Sequence, residues 1–212
     1  MKAAGTPSPA RPPAMFVGDA PGLDFLNSIA TPVDTPFDWI ADGEGLVDWL
    51  GQVRLVPADV LKDMKARAKP GELDKVATQT RDLREWFRAF VRKHKGRPLT
   101  AKALTELEPL NRLLARDQGF SRIIVQPEQR TFELQVTRRW QGPESLLLPI
   151  AEMLARLVCT EDFSHVKACE GPACTLLFAD HTRGRARRWC SMAVCGNRAK
   201  QAAHRSRLKS KQ

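Results

Sequence analysis

Acidic residues are nearly missing from the end of the chain. From His165 to Gln212 only Glu170 and Asp180 stand against eleven Lys and Arg, so 48 residues hold +9 of the formal +10. The first 164 residues are close to neutral, and this asymmetry points to a polyanionic partner for the last segment alone. Long apolar runs are absent too: no stretch of 18 apolar residues exists to span a bilayer. The opening Met1-Lys-Ala-Ala-Gly-Thr-Pro-Ser-Pro lacks the apolar stretch of a secretory leader, and a cytoplasmic protein is expected. Histidine is scarce, four in all with three in the basic segment, which leaves few candidates for imidazole acid–base chemistry. No Gly-rich phosphate loop, G-x-S-x-G, H-E-x-x-H, EF-hand loop or internal repeat occurs. An enzyme is therefore not expected.

What the chain does contain is two matched cysteine pairs, Cys169-x4-Cys174 and Cys190-x4-Cys195. Zn²⁺ favours four soft or borderline ligands in a tetrahedron, and two short thiolate loops supply them. Four thiolates leave no position for water, so the expected role is one structural Zn²⁺. His181, between the pairs, is an alternative to one thiolate. A disulfide-linked or simply reduced segment is the plainer alternative. The fifth cysteine, Cys159, lies among Leu154, Leu157 and Val158 and is expected to be a small buried hydrophobe.

Periodicity predicts a mainly α protein with a small β-hairpin. Residues 1–14 are expected to form a disordered Pro/Ala-rich tail, 15–160 a helical domain, and 165–209 a small four-cysteine module. Leu46, Trp49, Leu50 and Val53 recur at helical spacing, and Pro57 suits the start of the next helix. The longest helix is expected from Glu72 to Lys95, stopped by Gly96 and Pro98. Thr100 is a candidate N-cap, with Leu99 and Leu104 as a hydrophobic staple, for one helix running to Arg116. Arg122–Val125 and Thr131–Val136 read as a hairpin about a turn containing Pro127, with Phe132, Leu134 and Val136 on its half-buried side. Pro149 either begins or kinks the helix expected near 144–158. Short strands are expected at 166–169 and 176–179, and a basic helix from Met192 to Lys209 with Ser191 as its cap. A ligand pair at a helix start is treble-clef-like; a zinc ribbon is the other option.

The candidate nucleic-acid contacts are Arg183, Arg185, Arg187 and Arg188 between the pairs, and Arg198, Lys200, Arg205, Arg207 and Lys209 after them. Arginine's planar fork fits phosphate oxygens and the O6/N7 edge of guanine alike; a solvated charged face is the bland alternative. Trp189 is expected to pack over the metal site rather than stack on a base. Asp180 is expected to hold its loop by pairing with Arg188 or Arg198. Asn197 is open between loop bracing and a base contact. Asp24 and Asn27 are open between turn bracing and lining a pocket.

Phe178-Ala-Asp180, Thr182-Arg183, Arg187-Arg188-Trp189-Cys190-Ser-Met192 and Cys195-Gly-Asn-Arg198-Ala-Lys200 resemble the CGNR zinc finger over about Val166 to Arg207. Gly22-Leu-Asp-Phe-Leu-Asn-Ser28, the Leu46–Leu50 helix and Leu83-Arg84-Glu85 resemble the ABATE-type domain that accompanies this finger. The resemblance implies a bacterial, stress-induced transcription regulator, cytoplasmic and nucleoid-associated. Its finger would bind duplex DNA, and its N-terminal domain would sense a small molecule or form a homodimer. An RNA-binding or protein-interaction module is the alternative.

Overall fold

The computed structural model describes residues 11–31, 35–126, 128 and 130–209. The expectations placed on residues 1–10, Pro32, Pro127 and Lys211, and on the side chain of Lys209, fall outside the described residues. Residues 11–14, expected in the disordered tail, make defined contacts. Arg11 forms both its hydrogen bonds to the Asp42 carboxylate at 2.7 Å, and Trp39 Nε1 donates to the Pro12 carbonyl at 2.7 Å.

Helix α1 (Pro21–Leu26) starts on proline, which lacks an N–H that would go unpaired there, and buries every residue after it. Short strands β1 (Ile29–Ala30) and β2 (Phe37–Asp38) pair antiparallel. Helix α2 (Gly43–Gln52) is capped by Asp42, whose carboxylate accepts from Gly45 N at 2.8 Å. Helices α3 (Ala58–Arg67) and α4 (Glu72–His94) follow, close to the expected bounds. The apolar stripe of α4, Val76, Ala77, Phe87, Phe90 and Val91, is buried against α1 and α2. Gly43 lets α2 approach α4: a Cβ there would stand 2.5 Å from that of Leu73.

The single helix expected over 100–116 is two, α5 (Ala103–Glu106) and α6 (Glu108–Leu114). Pro109 causes the break, since its ring would clash with the carbonyl four residues earlier. Leu104 is exposed, so the staple does not form. Strands β3 (Gly119–Val125) and β4 (Phe132–Arg138) pair from Gly119↔Arg138 to Val125↔Phe132. Their alternation is real, but Phe132, Leu134 and Val136 are exposed rather than half-buried. A 3₁₀ turn, Pro143–Leu146, leads into α7 (Leu147–Thr160), and Pro149 falls in its first turn, where no hydrogen bond is lost. Cys159 is exposed, not buried: it lies on the solvent side of α7, whose core side carries Ile150, Leu154 and Leu157.

The C-terminal module begins with a 3₁₀ turn, Phe163–His165, and strand β5 (Val166–Ala168), which pairs antiparallel with β6 (Leu177–Ala179). A π-helical turn, Met192–Gly196, then opens into α8 (Asn197–Lys209). The module is not a bead on a tether. Val166, Leu176, Leu177, Phe178 and Ala179 belong to the same apolar cluster as Leu23, Phe25 and Phe90. Strand β6 rests on α1, and Phe163 meets Phe90 edge-on at 6.0 Å.

Candidate metal centre and basic helix

The four cysteine sulfurs lie within 4.8 Å of one another, three of the residues buried and Cys174 partly exposed. Cys174 Sγ is 3.8 Å from Cys190 Sγ, which is 3.6 Å from Cys195 Sγ. A disulfide would bring two sulfurs to about 2 Å. A tetrahedron of sulfurs each about 2.3 Å from Zn²⁺ has edges of about 3.8 Å. The donor set therefore fits a single zinc ion, and all four ligands come from the protein.

Local structure explains the x4 loops. In the first, Cys174 N donates to Gly171 O at 2.9 Å and folds the chain back, while Gly171 N points at Cys169 Sγ from 3.5 Å. A Cβ on Gly171 would reach within 3.2 Å of Cys195 Sγ, so glycine keeps the sulfurs together. In the second, Gly196 N donates to Ser191 O at 3.0 Å across the wide turn, which takes up the extra residues before α8 begins. This explains why the helix starts at Asn197 rather than Met192. The pair at a helix start makes the module treble-clef-like, not a ribbon. Cys190 N also faces Cys169 Sγ, at 3.3 Å.

The thiols strongly affect one another. The hydrogen bond from Cys190 pulls the Cys174 thiol down to about 5. Cys190 itself moves far up, mainly through that same bond to Cys174 and then burial, and burial leads in raising Cys195 to about 11. One thiolate forms readily and further ones oppose it. A divalent cation supplies the charge that lets all four ionise. His181 is not in the group; its Nε2 sits 2.8 Å from Glu161.

Asp180 is the polar centre of the module. Fully buried, it accepts from Lys167 Nζ at 2.7 Å, Thr182 Oγ1 at 2.6 Å, Thr182 N at 3.0 Å and Arg187 N at 2.9 Å. Burial alone would raise its pKa, but these donors, Lys167 first, hold it far below the usual carboxylate range. Asp180 does hold the loop, as expected, but through Lys167 and not through Arg188 or Arg198.

The eight candidate cations whose side chains are described separate into two groups. Arg187 is committed to structure. Its guanidinium lies 4.3 Å over the Phe178 ring, bonds the carbonyls of Trp189 (2.9 Å), Cys190 (2.6 Å) and Val17 (3.1 Å), and pairs with Asp19. Arg185 adopts a left-handed φ of 47° and bonds the Asp180 carbonyl. Arg188 pairs with Glu170 at 2.6 Å and stacks on Trp189 at 5.0 Å. Trp189 is half-buried, with its ring edge 3.6 Å from where a Cβ on Gly196 would stand. Arg183, Arg198, Lys200, Arg205 and Arg207 are exposed. Of these, Arg198 and Arg205 share one side of α8 and line a groove of about 510 Å³ against Met15, Thr31 and the first cysteine loop, while Lys200 and Arg207 point elsewhere. Asn197 Nδ2 donates to Ala193 O at 3.1 Å, which makes it a brace of the π turn.

The sequence reading missed what joins the module to the helices. Asn27, fully buried on α1's C-cap, donates to Leu177 O at 2.8 Å and accepts from Leu177 N at 2.9 Å, acting as one extra strand residue for β6. Ala179 N donates to Gly18 O at 2.9 Å. Asp24 accepts from Gly18 N at 2.7 Å, and burial raises its carboxyl to about 6. The polarity of Asp24 and Asn27 within an apolar run was the only signal available; their partners lie far away in sequence. A second buried network was also unseen. Arg84 reaches both Asp38 carboxylate oxygens (2.8 and 2.7 Å), Ser28 Oγ (2.9 Å) and Glu85 (3.0 Å), and Glu85 also holds Arg88.

Fold and site together define a helical domain clasped to a four-cysteine zinc finger. Residues 19–161 match the ABATE family, described as "Putative stress-induced transcription regulator", and residues 165–208 match the CGNR zinc finger. The chain belongs to the ABATE family and ends in a CGNR zinc finger, whose four cysteines are positioned to bind one metal ion. No curated protein matches the chain. Among the described residues no helix is long and apolar enough to cross a membrane.

Proposed function

We propose that the chain is a transcription regulator that docks on duplex DNA through the finger and α8, without catalysis. The observation that carries this is the helix itself. Its main contact is with the π turn that bears Cys195, and its residues Arg198, Lys200 and Arg205 are exposed. Cys169, Cys174, Cys190 and Cys195 would hold the zinc, which replaces the apolar core that a basic segment of this size lacks. With Arg187 committed to the fold, the DNA contacts fall to Arg183, Arg198, Lys200, Arg205, Arg207 and Lys209, with Arg185 and Arg188 secondary. Five or six neutralised phosphates give a slope of log K against log[salt] of about −5. Fluorescence anisotropy on duplex DNA from low to high salt checks this, and a slope near zero would defeat it. Structured RNA competing better than duplex DNA at fixed salt would move the protein to the RNA-binding class. Partner binding that survived neutralisation of Arg198, Lys200 and Arg205 would indicate a protein-interaction module.

A small-molecule effector for the N-terminal domain is part of the proposal, and a cleft supports it. A cleft of about 390 Å³ between α1 and α7 is lined by Gly22, Leu55, Met153 and Leu157, with Arg138, Glu152 and Arg156 at its polar side. Because α1 also carries Asn27, occupancy of this cleft would be felt at the finger.

A further inference from the structure

The β3–β4 hairpin is a two-stranded ribbon whose apolar side is left uncovered by the described residues. The register places Ile123, Val125, Phe132, Leu134 and Val136 on one face, with Ser121 their polar neighbour. They are exposed by 72, 56, 81, 67 and 75 % respectively. An isolated two-stranded hairpin is at best marginally stable in water. This one is tied to the body near its base, where Arg138 bonds Asp117 and Glu152.

We propose that this face is the contact between two copies of the chain, the hairpins packing face to face across a two-fold axis near Ile123 and Leu134. Three features favour a second copy. The face carries no charge from Ser121 to Val125 or from Phe132 to Val136, so neither a nucleic acid nor an acidic partner suits it. At about 100 Å² or more per side chain it offers roughly 600 Å² per copy, near the 800 Å² per partner of a standard stable interface, with the strand flanks left to supply the rest. The face is also continuous, so it can meet its own copy, as an isologous contact requires. Two copies would carry two fingers, which deepens the regulator reading; the dimer itself is tested without DNA and stands or falls separately.

The test is sedimentation of the full zinc-loaded chain over a concentration series, with hydrogen exchange read at the β3 and β4 amides. The expected result is a dimer in the micromolar range, with hairpin exchange slowing as concentration rises. Phe132→Ser with Leu134→Lys should weaken dimerisation by about 100-fold or more, since each change acts twice in an isologous contact. Arg122→Glu, on the opposite face, should leave it intact. Unchanged zinc content and far-ultraviolet circular dichroism establish that the double variant is folded; if it is not, Ile123→Thr takes its place. A wild-type monomer at high micromolar concentration overturns the proposal. Hairpin protection in that monomer would assign the face to the chain's own N-terminal segment, and no protection to a different protein. A double variant that dimerises as tightly as wild type overturns it too.

Discussion

The two halves of the molecule solve the same stability problem by different means. The N-terminal domain buries rings and aliphatic side chains in quantity; Phe25 meets Trp49 at 5.6 Å, and Phe87 stacks on Phe90 at 5.6 Å. Its two buried arginines, Arg84 and Arg88, are paired with Asp38 and Glu85 and lie between helices that already pack. The finger has only a thin apolar layer, Leu176 to Ala179, and that layer is buried against α1. Its interior is polar: four sulfurs on one side and a four-coordinate Asp180 on the other. A helical core tolerates the loss of one contact because many others remain. A polar centre holds a few strong, mutually dependent interactions and fails as a unit.

The largest expected difference follows from removing the metal. Structural zinc contributes on the order of 10 kcal/mol to folding of such modules. Cys190→Ser, or chelation, should abolish DNA binding and order in the finger, while α4 and α7 persist. Near-ultraviolet circular dichroism and limited proteolysis would register both. Next comes Arg84→Met, which strands the Asp38 carboxylate and should cost about 3–5 kcal/mol in urea unfolding. It attacks the helical half and should leave zinc content unchanged.

Asn27→Ala acts on the junction. It leaves both Leu177 backbone groups unpaired in the interior, a loss of about 2–4 kcal/mol. If finger and helices are coupled as described, zinc dissociation should quicken in this variant, although residue 27 lies 150 positions from Leu177. Asp24→Asn should move the other way. A carboxyl raised to about 6 stabilises the fold below pH 4 and loses that contribution as pH rises through 6, so the native protein carries an unfavourable buried charge at pH 7. The variant should gain about 1–2 kcal/mol over wild type at pH 7.5 and nothing near pH 4, read from denaturant curves of both proteins at each pH. The smallest effect is at the helix surface: Arg198→Ala should flatten the salt slope by about one unit and spare stability.

The same division explains what could be read from the chain in advance. Helices α2 and α4 are legible because each has a 3.6-residue stripe and a breaker after it, Pro57 and Gly96, and Pro57 marks the start of α3. The cysteine pairs were legible because ligand spacing is local. The hairpin's alternation identified strands but not burial; period 2 marks a face as apolar without saying what covers it. The leucine spacing about Pro109 predicts one helix, and the proline divides it. Arg187 and Arg188 look alike in sequence, yet one clasps Phe178, Asp19 and Val17 while the other pairs with Glu170 at the surface. Only the docking of β6 on α1 distinguishes them, and that contact is not local.

The most direct test of the coupling between metal and helices is hydrogen exchange before and after zinc is withdrawn by a chelator. Protection should vanish across β5, β6 and the start of α8, and should also fall at Gly18 through Ser28, while α4 keeps its own. Undiminished protection at Gly18 through Ser28 with the finger unfolded would show that the two halves stand independently and would contradict the account.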